Sequence, residues 1–221
     1  MMRFSFQQFF AIVLMVLAVR LIAAQNPTPN TENLKKANAR PTASPTPKAE
    51  PFDGATVAQM SGQCVTLDTE QGAILIEMLP DKAAQTVRGF LNLAATGALD
   101  TTTFSRIVRG FVIQGGNLAT SEKWSAELAA RMQRALPDEP SDLKHVRGIV
   151  SMARGDEPNT ATTHFFILVS DGPHLDGKFA AFGRVIRGME VADAINRAEV
   201  EGERPLVPVR VKRATVERCE K

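Results

Sequence analysis

The chain has 221 residues, 44% of them hydrophobic, which is enough to bury one sizeable core and leaves no room for a second domain once the two ends are set aside. Its formal charge is +2, from 26 basic and 24 acidic residues, and loss of Arg3 and Arg20 with the N-terminal leader leaves 24 of each sign. A neutral balance offers no electrostatic reason to bind nucleic acid, so that partner class is set aside.

Residues 1–25, MMRFSFQQFFAIVLMVLAVRLIAAQ, place Arg3 before an apolar stretch over 9–19 and small Ala23 and Ala24 before Gln25. This is the pattern of a secretory signal peptide. A membrane span needs about 20 apolar residues, and Arg20 interrupts this run, so cleavage near Ala24 is expected, with an uncleaved membrane anchor as the alternative. No cysteine follows the leader directly, which argues against a lipid-modified N-terminus. Residues 26–61 read as a disordered Pro/Thr-rich linker, most marked over 26–51, because they carry almost nothing able to join a core. A proline-rich recognition motif is the weaker reading, since no P-x-x-P with an anchoring basic residue stands out.

The folded part is expected over 62–221. VTLDT and AILIEML read as paired strands joined by a turn at Glu70, Gln71 and Gly72. Asp81 offers an N-cap to a helix that gathers Ala83, Val87, Phe90, Leu91 and Ala94 on one face and stops near Gly97. FSRIVRGFVIQGGN, residues 104–117, then reads as a strand pair, β-branched and aromatic, punctuated by Gly110, Gly115 and Gly116 and carrying Arg106 beside its apolar residues. Trp124, Leu128, Met132 and Leu136 recur every four residues, predicting a helical insertion whose apolar stripe packs on the body or stays open to a client chain. Further strands follow, and a second helix is predicted to turn Val191, Ala194 and Ile195 inward. There are no internal repeats.

His145, His164 and His174 are the only histidines, and their spacing matches no zinc motif, so no metal is expected. Ser105, His174 and Asp176 supply the residue types of a hydrolytic triad. No nucleophile elbow surrounds the serine, and Asp176-Gly177 reads as a tight turn, so that reading is set aside. Two cysteines, Cys64 and Cys219, stand near the two ends of the folded part, and either a disulfide or two free thiols fits an even pair.

Three blocks in order, FSRIVRGFVIQGGN (104–117), RGIVSMARGDEPNTATTHFFILV (147–169) and HLDGKFAAFGRV within 174–195, resemble the cyclophilin family of peptidyl-prolyl cis/trans isomerases. That family's patterns run roughly FHRxxxGFxxQGGD, RGxxSMAxxxPNTxxSQFFI and LDGxxxxFGxV. The resemblance covers about residues 62–218. It implies a mainly β fold, a closed eight-stranded antiparallel β-barrel capped by two α-helices, to which the helical insertion would be extra. It also implies adjacent first and last strands, which would let Cys64 and Cys219 meet and clamp the termini.

On the same resemblance Arg106 matches the family's catalytic arginine. Phe111, Val112, Phe166 and Leu175 match positions lining the proline pocket, although each would pass for barrel core on composition alone. Gln114 matches a polar group that orients substrate and arginine, and Ala153 and Arg154 match the edge where substrate backbone is clamped, with no role required of the Arg154 side chain. Four positions depart. Ser105 stands for a histidine, His164 for a glutamine with a charge that would vary near neutral pH, His174 for a tryptophan of many eukaryotic members, and Phe179 for a histidine near the pocket.

The resemblance implies an isomerase that needs no cofactor; with the signal-like leader, the expectation is an enzyme that accelerates folding of exported, proline-containing polypeptides and acts as a monomer in a periplasmic or secreted setting, membrane-tethered if the leader is kept. A proline-peptide-binding or chaperone module with weak turnover is the alternative, motivated by Ser105, His164 and His174. The missing tryptophan also puts sensitivity to cyclosporin-like ligands in doubt.

Overall fold

In the computed structural model, residues 49–220 are described; the leader and residues 26–48 of the expected linker lie outside them. Eight strands form one antiparallel sheet in the order β10-β1-β2-β7-β5-β6-β4-β3. These are β1 (Gln63–Thr69), β2 (Gly72–Met78), β3 (Arg106–Val108), β4 (Val112–Gly115), β5 (Ile149–Met152), β6 (Phe165–Leu168), β7 (Ala181–Arg187) and β10 (Val211–Arg218), while β8 (Val200–Glu201) and β9 (Arg204–Pro205) make a separate small hairpin. The β1–β2 hairpin closes with Thr69 opposite Gly72, as the turn residues require.

The sheet curls into a half-barrel. Among the described residues no ladder joins β3 to β10; the two ends approach through the isolated bridge of Thr103 with Arg210 and the Phe104 N–H to Val209 C=O bond of 3.0 Å. At the other side of β10, its ladder with β1 brings the terminal cysteines together. Cys64 and Cys219 form a disulfide, with Cα atoms 5.1 Å apart across 155 residues of sequence.

Helix α2 (Ala84–Ala95) covers the sheet and buries Val87, Phe90, Leu91 and Ala94, and the chain leaves it through Gly97 at φ +70°. Its cap differs from expectation. Asp81 lies too far ahead of the first turn, and the N-cap residue is Ala83. The Glu139 carboxylate takes its place, accepting from the N–H groups of Gln85 at 3.0 Å and Thr86 at 2.7 Å and from the Thr86 hydroxyl at 2.8 Å. Helix α4 (Met189–Asn196) buries Ala192, Ile195 and Asn196, with Val191 packed against the core; Ala194 is only partly buried, so the inward face is rotated from the predicted one.

The insertion is less helical than its spacing suggests. Helix α3 spans only Ala126–Arg131. Leu128, Met132 and Leu136 do pack against the core, but Trp124 precedes the helix and is 48% exposed. Leu136 stands before Pro137, which disfavours helical backbone there, and its N–H instead donates to Ala161 C=O at 2.7 Å. The linker reading also ends earlier than expected. Helix α1 (Val57–Met60) opens with a Thr56/Gln59 capping box, Met60 is fully buried, and Phe52 packs against the core. Glu50 is held by Arg131, whose Nη2 lies 2.6 Å from Oε2, and by Arg134 at 2.9 Å. One turn of helix is too short for a periodic signal, and the Pro/Thr-rich composition just ahead of it hides the cap.

Apolar side chains fall into two clusters on opposite faces of the β4–β6 pair, because side chains alternate along a strand. Ile113, Phe165 and Ile167 join the main core beneath α2, with Phe90, Phe104 and Phe182. Val112, Phe166 and Leu168 point the other way and form a smaller cluster with Ile149, Leu175 and Ala181.

Candidate active site

The smaller cluster supports a hollow of about 190 Å³. Register explains who lines it: Arg106 on β3 lies directly opposite Gln114 on β4, which in turn lies opposite Phe166 on β6. Val112, two residues before Gln114, shares its face. Phe111 and Leu175 close one side, and Ala153, Arg154 and Phe179 close the other. None of these nine lining residues is Ser, Thr, Cys or Lys, so no side-chain nucleophile of those types faces the hollow.

A small residue lets the wall close. A Cβ on Gly172 would stand 3.0 Å from the Phe111 ring and 3.2 Å from Leu175, both of which line the hollow. Leu175 ends a single 3-10 turn, Pro173–Leu175, and the next residue, Asp176, ties that turn to the sheet. Its carboxylate accepts from His145 N–H at 2.8 Å and faces His145 Nδ1 at 3.2 Å, while His145 Nε2 lies 3.0 Å from the Ser151 hydroxyl. Asp176 is therefore more than a turn residue.

The bonding of Ser151, His145 and Asp176 resembles a hydrolytic relay, but Ser151 is completely buried and meets no substrate. Ser105 and His174 take no part in it. Burial pushes the His145 pKa down against the opposing pull of Asp176. The His145 backbone N–H, followed by Lys144 and the His145 ring, holds the Asp176 carboxyl below the usual carboxylate range. A neutral imidazole donating from Nδ1 to the carboxylate and accepting at Nε2 satisfies all three groups.

Arg106 is 43% exposed at its side chain and sits at the mouth. Its Nη1 donates to Gln114 Oε1 at 3.1 Å and its Nε to Glu203 Oε2 at 2.6 Å. Glu203 is a residue that sequence reasoning missed, since it lies 97 positions away in a turn with no motif around it. The Arg154 side chain, assigned no role from the sequence, spans the opposite edge. Its guanidinium lies 5.1 Å over the Phe179 ring, and Nη1 donates to the carbonyls of Gly155 at 2.9 Å and Asp156 at 3.1 Å. Phe179 meets Phe166 edge to face at 6.0 Å.

Two expected site residues do not line the hollow. His174 is exposed at the rim, its ring 5.3 Å from that of Phe111. His164 contributes its carbonyl, which accepts from Ala153 N–H at 2.9 Å, and the residue is half-buried. Burial lowers the His164 pKa from the ordinary histidine value.

A curled antiparallel sheet thus bears an apolar, arginine-flanked hollow on the face away from its core. The family profile described as cyclophilin type peptidyl-prolyl cis-trans isomerase/CLD matches residues 64–216. The peptidyl-prolyl cis-trans isomerase CYP18-1 of Arabidopsis thaliana is 39% identical over 155 residues, 69% of this chain and 94% of that protein. A probable peptidyl-prolyl cis-trans isomerase of Brucella suis is 34% identical over 160 residues, covering 69% and 82%. Among solved structures, a cyclophilin type isomerase of Cryptosporidium parvum, crystallised in the presence of the dipeptide Ala-Pro, superposes with a TM-score of 0.62 at 29% identity, covering 70% of this chain and 98% of that one. The chain belongs to the cyclophilin-type peptidyl-prolyl cis-trans isomerase family and is an enzyme of that class.

Proposed function

We propose that this isomerase rotates X-Pro bonds without covalent chemistry, with Arg106 assisting. The observation that carries this reading is Arg106 at one wall of a hollow otherwise dominated by Phe111, Val112, Phe166, Leu175 and Phe179. Rotation costs about 18–20 kcal/mol because amide resonance is lost. As the bond twists, the proline nitrogen regains a basic lone pair, and a fixed guanidinium N–H stabilises it where water is excluded. The apolar wall grips the ring, so the chain on its N-terminal side turns while the ring stays. A planar guanidinium serves the proline nitrogen and carbonyl together, which an ammonium group does not.

The clients are taken to be proline-containing polypeptides folding outside the cytoplasm, met by a monomer with no cofactor. The signal-like leader supports export, whether cleaved or kept as an anchor, and the Cys64–Cys219 bond suits an oxidising periplasmic or secreted setting. The same reading takes the barrel as closed, with the Thr103–Arg210 bridge as its seam. Exchange NMR on a short proline peptide tests the central part. The expected result is fast cis/trans exchange with wild-type protein and a loss of about a hundredfold in Arg106→Ala with peptide binding kept. Binding without turnover by the wild type would favour a chaperone-like module instead.

A further inference from the structure

We infer that Glu203 is the positioning residue for Arg106 and that the β8–β9 hairpin is the latch that delivers it; this rests on the assignment of Arg106 to the reaction. Strand β3 ends the sheet, so among the described residues its outer edge has no ladder partner. The hairpin fills part of that edge. The Ile107 N–H donates to Glu203 C=O at 2.8 Å, and from the same residue the side chain reaches back to Arg106 Nε at 2.6 Å. Backbone and side chain of Glu203 thus grip consecutive residues of β3.

The base of the hairpin is fixed to the same strand pair. Asn196 Nδ2 donates to the carbonyls of Val108 at 2.9 Å and Val112 at 3.0 Å, its Oδ1 accepts from Gly110 N–H at 2.8 Å, and Arg109 Nη2 donates to Ala198 C=O at 3.0 Å. Asn196 is itself buried. The turn that carries Phe111 and the chain leading into the hairpin that carries Glu203 are therefore bonded together, and the arginine is tied to the pocket wall it serves.

The guanidinium is held at two vertices of its plane, Nε by Glu203 and Nη1 by Gln114. Two acceptors at different vertices fix both the tilt of the plane and its rotation about the side-chain axis. Among the described residues the Nη2 donors and the second Nη1 donor have no partner, and they remain for a client. A single hydrogen bond to the Gln114 amide oxygen does not offset the rotamer freedom of a long, half-exposed arginine; a second acceptor at Nε, carried by a residue anchored through its own backbone, does.

The test uses the full-length, oxidised protein with Glu203→Ala and Glu203→Gln, in each case measuring peptide exchange, peptide affinity and the water-exchange rate of the Arg106 Nε–H by NMR. In Glu203→Ala, kcat falls about tenfold with peptide affinity nearly unchanged, and the Nε–H exchanges faster. Glu203→Gln keeps an acceptor and recovers most of both. Unchanged kcat and unchanged Nε–H protection in Glu203→Ala overturn the proposal. If the wild type shows no turnover, the assignment of Arg106 fails by itself, and the Nε–H protection still decides whether Glu203 holds that side chain.

Discussion

Phe165 and Phe166 are neighbours on one strand and belong to different parts of the protein. Phe165 is 1% exposed and packs edge to face with Phe90 at 5.1 Å in the main core; Phe166 is 6% exposed and forms a wall of the hollow on the other face. Strand alternation alone separates them. The lesson is that one sheet supports two apolar layers with different duties, one closed and paired with a helix, the other left open on one side for a ring that is not part of the chain. Burial values barely distinguish the two residues, whereas their partners do.

The comparison breaks most visibly at Phe165. Phe165→Ala leaves a cavity sealed by Phe90 and Phe104 and is expected to cost about 3–5 kcal/mol, read as a lowered denaturation midpoint. Any surviving folded protein should keep turnover per molecule close to wild type. Removal of the disulfide, by Cys64→Ala with Cys219→Ala, should cost about 2–4 kcal/mol because the bond closes a long loop of the unfolded chain. Peptide exchange below the melting transition should be unaffected, since β1 and β10 line no part of the hollow.

Phe166→Ala sharpens the contrast from the other side. Losing most of one apolar wall should lower kcat/KM by about ten- to a hundredfold, while stability falls less than in Phe165→Ala because the new space joins an existing opening. The smallest expected effect concerns pH. Burial lowers the pKa of both His145 and His164, so each takes up a proton less readily folded than unfolded. Their contribution to stability is full above the ordinary histidine value of about 6.5 and is lost as pH falls below it toward the lowered folded values. Urea midpoints measured between about pH 7 and pH 5 should decline, and His164→Gln should flatten part of that slope.

The parts of this arrangement that were legible in the sequence are those written locally. The resemblance carried by the FSRIVRGFVIQGGN block, and not periodicity, set Arg106, Phe111, Val112 and Gln114 around one surface, and the later matching blocks added Ala153, Arg154, Phe166, Leu175 and Phe179. The α2 face and the Glu70–Gly72 turn were equally local. Long-range polar partnerships were not legible. Glu139 caps α2 from more than fifty residues away, and Glu203 reaches Arg106 from the far end of the chain; a lone glutamate in a loop carries no periodicity and no neighbour that marks it. Trp124 fell outside the packed stripe for a related reason, since spacing reports which residues would share a helical face and not how far the helix runs, whereas Leu128, Met132 and Leu136 do pack on the core.

Proline-bond rotation depends most on the geometry of one guanidinium, and Arg106→Lys tests this more sharply than truncation because the positive charge is kept. Exchange NMR on a proline peptide should show a loss of kcat nearly as large as in Arg106→Ala, with Phe166-dependent binding intact. A lysine variant that turns over like wild type would contradict the claim that a planar, two-point-held donor drives the rotation.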